Sequence, residues 1–196
     1  MRLILIRHAE SKHSYQGMIA GLAGCTGLTE CGVAQTRKFA SRLRDTSELG
    51  DCSVVLSSPV QRARQTAEGL ASALPATSVE IDCDLCELHY GAADDLTWEA
   101  YRSTYGEFDL TAFPDRPFAP GGESWSDIAR RVGATLDRLA GGRDDRTVEV
   151  ALGANLTWPR ALRRVRVWSK VPPPPEIQAL LHSRGMERPF NLYLRV

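Results

Sequence analysis

Short apolar runs that stop abruptly at polar residues, each followed by a stretch of helical spacing, recur along this chain. The first is Leu3-Ile-Leu-Ile6, preceded by Arg2 and closed by Arg7-His8. An unbroken apolar run of strand length suits a strand buried on both faces, as in a parallel sheet. Residues 51–56, Val79-Glu-Ile81 and the stretch from Thr147 to Leu152 read as three further strands. Between them, Leu28 to Gly32 opens a helix with Thr29 as N-cap, and Val33, Phe39, Ala40 and Leu43 recur near helical spacing. Residues 60–73 form the next helix, with Pro59 acceptable in its first turn. Residues 94–105 and 122–140 give two more, the latter with Glu123 and Ser124 at its start and Ile128, Val132, Leu136 and Leu139 on one face. Residues 7–27 are rich in Gly, Ser and His and read as a loop. Strands alternating with helices predict an α/β fold, a three-layer α/β/α sandwich with a mainly parallel central sheet.

A chain of 196 residues fits one domain with a core large enough to fold without staples. Its 24 basic and 24 acidic residues cancel, so no global field favours nucleic acid or a membrane surface. No apolar run approaches the ~20 residues of a membrane span. Met1 to Ile6 is too short for a signal peptide, so the expectation is a cytoplasmic protein. The neutrality hides an asymmetry. Residues 1–150 carry 16 Lys and Arg against 22 Asp and Glu, whereas residues 151–196 carry 8 against 2. The chain therefore divides into a main domain, 1–150, and a divergent basic, Pro-rich segment, 151–196, completing or flanking it. In that segment Ala161 to Lys170 alternates basic and apolar residues, Pro172 to Pro175 forces extended backbone, and 176–184 is briefly helical. Arg160, Arg163, Arg164, Arg166 and Lys170 could meet nucleic acid or an acidic partner, but no stacking residues interleave them in a binding pattern, which favours a solvated segment.

Five cysteines, Cys25, Cys31, Cys52, Cys83 and Cys86, form an odd set at irregular spacing and read as free thiols. Cys83-Asp-Leu-Cys86 is a C-x-x-C with His89 three residues on; a structural zinc site wants a fourth ligand, and the sequence offers none at suitable spacing.

Ligands of α/β sheets bind at the carboxyl ends of the strands. A first strand running into Arg7-His8 places an imidazole and a guanidinium there. Histidine nitrogen can attack phosphorus, and arginine grips phosphate oxygens through a fork of donors. After the second strand, Ser57-Ser-Pro-Val-Gln-Arg-Ala-Arg-Gln-Thr66 puts Arg62 in the first turns of a helix near the same edge. Two arginines converging from two strand–helix junctions suit a phosphate dianion.

Together these residues resemble the histidine phosphatase (phosphoglycerate mutase-like) superfamily, in the branch containing small bacterial phosphatases. The resemblance rests on Arg7-His8-Ala9-Glu10-Ser11; on Leu28-Thr29-Glu30-Cys31-Gly32-Val33-Ala34-Gln35; on Ser57 through Ala67; on Glu87-Leu-His-Tyr-Gly91; and on Pro120-Gly-Gly-Glu-Ser124 before a helix. It implies a phosphomonoester hydrolase. In it His8 is the nucleophile that forms a phosphohistidine, Arg7 and Arg62 clamp the phosphoryl group, and Glu87 is the general acid and later base. Ser14, six residues after His8, stands where some relatives place a phosphate-contacting polar residue; a loop cap is the competing role. The implied partners are a phosphorylated small molecule and inorganic phosphate, with no metal and no cofactor. A phosphoglycerate mutase is the lesser fit, because the insert at 92–119 is short.

One part of the family's pattern is missing. After a late buried strand the family carries a second histidine, usually as Ser/Thr/Cys-His-Gly. Here the strand from Thr147 runs into Leu152-Gly153-Ala154, and His13, His89 and His182 all stand elsewhere. Losing one preorganised donor typically costs ~10²–10³ in rate. Three readings stay open: a catalytically impaired member that binds a phosphorylated ligand or protein; substitution by His89 or His182; or translation of the tail out of frame, since residues 151–175 turn abruptly rich in Arg, Pro and Trp. A His-Gly after an apolar strand in another frame around codons 150–175 is the mark of the third.

Overall fold

The computed structural model describes residues 2–76, 78–109, 112–141 and 147–152. Four strands, β1 (Arg2–Arg7), β2 (Cys52–Ser57), β3 (Val79–Ile81) and β4 (Thr147–Leu152), pair in the order β1-β4-β2-β3. Every pairing is parallel. Parallel neighbours need long crossovers, and helices provide them. These are α2 (Glu30–Thr46), α3 (Gln61–Ala71), α4 (Trp98–Tyr105) and α5 (Trp125–Gly141), with a short α1 (Lys12–Gln16) following β1.

Alternation along the strands sorts the core into two layers. Ile4, Ile6 and Val55 pack with Phe39, Ala40 and Leu43 of α2 and Ala67 and Leu70 of α3. On the other side, Val54 and Leu56 pack with Tyr101 of α4 and Ile128, Val132 and Leu139 of α5. Helices thus cover both faces, and the three-layer α/β/α architecture is as predicted. Cys52 joins the same layer as Val55, although the two stand three positions apart, an odd offset that strict alternation would place on opposite faces. A register shift against β4 between Cys52 and Val54 accounts for this, since an extra residue reverses the alternation.

Several local expectations change. The segment 7–27 is not all loop, because Ser11 caps α1 through the amide of Ser14 and Gly17 closes it at φ 68°. Five residues are too few to leave a periodic signature. Val33 is exposed, and the first turns of α2 bury Gly32 and Thr36 instead. The helix expected at 94–105 starts at Trp98, with a 3-10 turn at Gly91–Ala93 before it. The helix expected at 122–140 starts at Trp125, and Ser124 caps it, its Oγ accepting from the Asp127 amide at 3.2 Å. The readings made for the tail beyond residue 152 lie outside the described residues.

Candidate active site

The register of the sheet sets the geometry. Arg7 pairs with Leu152 and Ser57 pairs with Ala151, so β1, β4 and β2 end side by side. His8 leaves the sheet from β1. Arg62 is one residue into α3, which begins four residues after β2 ends. The point where β4 leaves the sheet lies between the two exits.

His8 is 9% exposed. Its Nδ1 lies 2.6 Å from the carbonyl oxygen of Ala9 and donates to it. That contact assigns the ring proton to Nδ1 and leaves a lone pair on Nε2. Nε2 accepts from Nε of Arg62 at 3.1 Å. Burial, then the positive charges of Arg62 and Arg7, lower the His8 pKa to about 3 against the backbone contact that raises it. The imidazole is neutral at physiological pH, the form in which nitrogen is a nucleophile.

Arg62 is buried with all three nitrogens engaged. Besides His8, Nη1 donates to the Ala20 carbonyl at 2.7 Å and Nη2 to Oε2 of Glu87 at 2.8 Å. Burial pushes the Glu87 carboxyl above its ordinary range, while Arg62 and a hydrogen bond from Tyr90 pull it back. A raised carboxyl can hold a proton to give to a leaving group. The structure therefore brings His8, Arg62 and Glu87 into one contact chain. Arg7 is exposed at the end of β1, with no hydrogen-bond partner among the described residues, and its charge is felt by both His8 and Glu87. Ser14 is exposed on α1, its Oγ 2.9 Å from Oγ of Ser11, which is the loop-cap arrangement.

The sequence reading missed the supports. Thr66 Oγ1 accepts from the Ala9 amide at 3.1 Å and donates to the Arg62 carbonyl at 2.8 Å, tying the exit of β1 to α3. Gln35 Oε1 takes the Glu10 amide at 3.0 Å, and Thr29 Oγ1 donates to Oε1 of Glu10 at 2.6 Å. Gly32 lets α2 lie directly on this loop, for a Cβ there would stand 2.1 Å from the Glu10 carbonyl oxygen. The polar motif residues thus hold the segment that carries His8, and their motif membership was the available signal.

The segment carrying Glu87 is held separately. Arg131 grips Glu123 with Nε at 2.8 Å and Nη2 at 2.6 Å, and donates to the backbone carbonyls of Asp84, Cys86 and Glu87. Glu123 Oε2 also accepts from the His89 amide at 2.9 Å. Gly91, at φ 58°, meets the turn at Pro120–Gly122 backbone to backbone; a Cβ would lie 2.3 Å from the Gly122 nitrogen. His89, weighed as a replacement for the missing histidine, faces Glu123 through Nδ1 at 3.6 Å and Cys83 through Nε2 at 4.0 Å. His13 is buried elsewhere, with Nδ1 accepting from the Thr26 amide at 3.4 Å. His182 lies outside the described residues.

The model of the histidine phosphatase superfamily (branch 1) matches residues 3–161. The chain is 37% identical over 150 residues to the bifunctional protein Rv2228c of Mycobacterium tuberculosis, covering 76% of this chain and 40% of that protein. It is 33% identical over 142 residues to 6-phosphofructo-2-kinase/fructose-2,6-bisphosphatase 3 of Bos taurus, covering 70% and 28%. The chain thus spans less than half the length of these relatives. Among solved structures, the mycobacterial glucosyl-3-phosphoglycerate phosphatase Rv2419c with VO3 superposes at a TM-score of 0.60, 26% identity, over 76% of this chain and 72% of that one. A putative alpha-ribazole-5'-P phosphatase from Escherichia coli shares the fold at a TM-score of 0.65 and 24% identity, over 78% and 73%.

Proposed function

The chain belongs to branch 1 of the histidine phosphatase superfamily, and from that premise we propose that it hydrolyses phosphate monoesters of small molecules through a phosphohistidine at His8. The observation that carries this reading is the neutral, Nδ1-protonated His8, whose Nε2 lone pair meets Arg62 while Arg62 meets Glu87.

A phosphate dianion entering the site offers Arg62 better acceptors than an imidazole nitrogen. Its Nε and Nη2 turn to phosphate oxygens, and Arg7 adds a second positive charge. Nε2 of His8 is then free to attack phosphorus. The bond from phosphorus to the ester oxygen breaks as the N–P bond forms, and the leaving alkoxide takes a proton from Glu87. Losing its ion pair to Arg62 and gaining a dianion as neighbour both favour the protonated carboxyl that this step needs. Glu87, now ionised, takes a proton from water; the water oxygen attacks phosphorus, the N–P bond breaks, and inorganic phosphate leaves. The charge on the transferring group is met by arginine, so the scheme routes nothing through a metal.

A second reading rests on the strand β4. It ends between the exits of β1 and β2, where the family's second histidine belongs, and Gly153-Ala154 follows it in sequence. In this reading the chain binds a phosphorylated ligand and turns over slowly or not at all.

One set of measurements separates the two. Phosphate release from para-nitrophenyl phosphate and phosphorylated metabolites is followed for the natural chain and for His8→Ala, with parallel trapping of an acid-labile, alkali-stable phosphoenzyme. Release and trapping that both vanish in His8→Ala support hydrolysis through His8. Release that persists in the variant overturns the nucleophile. No release, with orthovanadate binding that His8→Ala abolishes, selects the binding reading.

A further inference from the structure

Outside the His8 contact chain, one cluster of metal-ligating side chains stands out among the described residues. Cys83, Cys86 and His89 each offer one ligand atom, and these atoms all lie within 4.8 Å of one another. We propose that Cys83, Cys86 and His89 bind a thiophilic divalent cation of the zinc class, with the fourth position left to solvent.

The spacing argues first. Tetrahedral zinc with sulfur at ~2.3 Å and nitrogen at ~2.05 Å places two sulfurs about 3.8 Å apart and sulfur and nitrogen about 3.6 Å apart. Here Sγ of Cys83 lies 3.6 Å from Sγ of Cys86 and 4.0 Å from Nε2 of His89. The third edge, from Cys86 to His89, lies within 4.8 Å, so closing a tetrahedral face around an ion asks for a movement of up to about an ångström, within the reach of side-chain rotations. The backbone is already wound for this: a 3-10 turn at Cys83–Leu85 brings the two thiols to one side.

The surroundings argue second. His89 turns Nδ1 towards Oε2 of Glu123 at 3.6 Å and Nε2 towards the thiols. A carboxylate behind the far ring nitrogen of a ligating histidine fixes its tautomer and raises its basicity. Arg131 donates to the carbonyls of Asp84, between the two cysteines, and of Cys86 itself, which braces the turn and sets a positive charge beside the thiolates. Two thiolates and a neutral imidazole balance the ion's charge. Cys86 is buried and Cys83 exposed, so an ion has a path from solvent and an open position for water. The sequence counted this set one ligand short of a structural zinc site; three protein ligands and a water are a complete set for zinc.

Because Glu87 directly follows Cys86, an ion here would brace the segment that carries it. The proposal does not depend on the phosphatase reading, and its test uses no enzymatic readout.

The full chain, reduced and stripped of metal, is titrated with Co²⁺ and followed by absorption. The expected result is one equivalent bound with thiolate-to-cobalt charge transfer and tetrahedral d–d bands. Competing Zn²⁺ displaces them, raises Tm and protects Cys83 from iodoacetamide while exposed Cys31 stays reactive. Cys83→Ser and His89→Ala should each weaken binding at least ~100-fold, whereas Cys31→Ser and His8→Ala leave it unchanged. Cys83 is exposed, so Cys83→Ser should melt like the metal-free natural chain and report on binding rather than folding. Absence of the bands at one equivalent, or bands that survive Cys83→Ser, would overturn the site.

Discussion

Nε of Arg62 donates to Nε2 of His8 at 3.1 Å, so in the proposed reaction the atom that would attack phosphorus is covered by the residue that would hold the phosphate. One guanidinium joins the proposed nucleophile to the proposed acid, because its Nη2 meets Glu87 at 2.8 Å. In the proposed reaction phosphate binding breaks both contacts, and each break prepares its partner: the His8 lone pair is exposed and the Glu87 carboxyl gains affinity for a proton.

Replacing Arg62 by Gln should therefore cost more than a phosphate contact. Removing a preorganised donor to the transferring group typically costs ~10²–10³-fold in rate. Steady-state kinetics on para-nitrophenyl phosphate should show a loss in kcat/KM of at least that size. An unchanged kcat/KM would dissociate Arg62 from the chemistry.

Glu87 should reveal its role through the leaving group. Glu87→Gln keeps the shape but cannot give a proton. Hydrolysis of alkyl phosphates should fall ~10²–10⁴-fold. Hydrolysis of para-nitrophenyl phosphate, whose phenolate needs little help to leave, should fall far less in the phosphorylation step. Equal losses on both substrates in single-turnover measurements would point to a binding role.

The lowered pKa of His8 has a consequence for stability. The folded chain binds the His8 proton only near pH 3, whereas an unfolded histidine binds it near pH 6.5. Between these values the unfolded state holds more protons, so this group's contribution is full above about pH 6.5 and is lost as pH falls towards about 3. The slope from one group is at most ~1.4 kcal/mol per pH unit. Urea unfolding at several pH values should show a steeper acid-side decline for the natural chain than for His8→Ala. Parallel lines would mean that His8 protonates normally in the fold.

Two glycines should respond with opposite signs. At Gly32 a Cβ would meet the Glu10 carbonyl oxygen, and backbone cannot swing aside as a side chain can. Gly32→Ala should destabilise by ~1–3 kcal/mol and should impair activity through the loop carrying His8. Gly133, within α5, has nothing within 4 Å of such an atom. Gly133→Ala should stabilise by up to ~1 kcal/mol, since alanine costs less backbone entropy in a helix. Thermal and urea unfolding of the two variants check the pair.

The order of strands and helices was legible in the sequence because it is written in local signals. Leu3 to Ile6, the Thr29 cap and the period of Phe39, Ala40 and Leu43 need no distant partner to be read. Val33 was misjudged because periodicity locates a face but not its edge, and the edge depends on where the helix lies on the loop at Glu10. α1 was missed because a single turn has no period. The candidate site divides in the same way. That His8, Arg62 and Glu87 belong together followed from motifs, which are matters of residue type and spacing.

Which nitrogen of His8 carries the proton, that Arg62 spans both partners, and that Cys83, Cys86 and His89 converge on one point were decided only in three dimensions. The His8 proton is set by the orientation of the adjacent Ala9 carbonyl, the span of Arg62 by α3 lying against the exit of β1, and the turn carrying the two cysteines is held by α5 reaching back through Arg131 to the carbonyls of Cys86 and Glu87. Residue types and spacing determine which chemistry is available. Parallel register and helix packing determine where the atoms stand, because those distances follow from burying two apolar layers against one sheet rather than from any local preference of the chain.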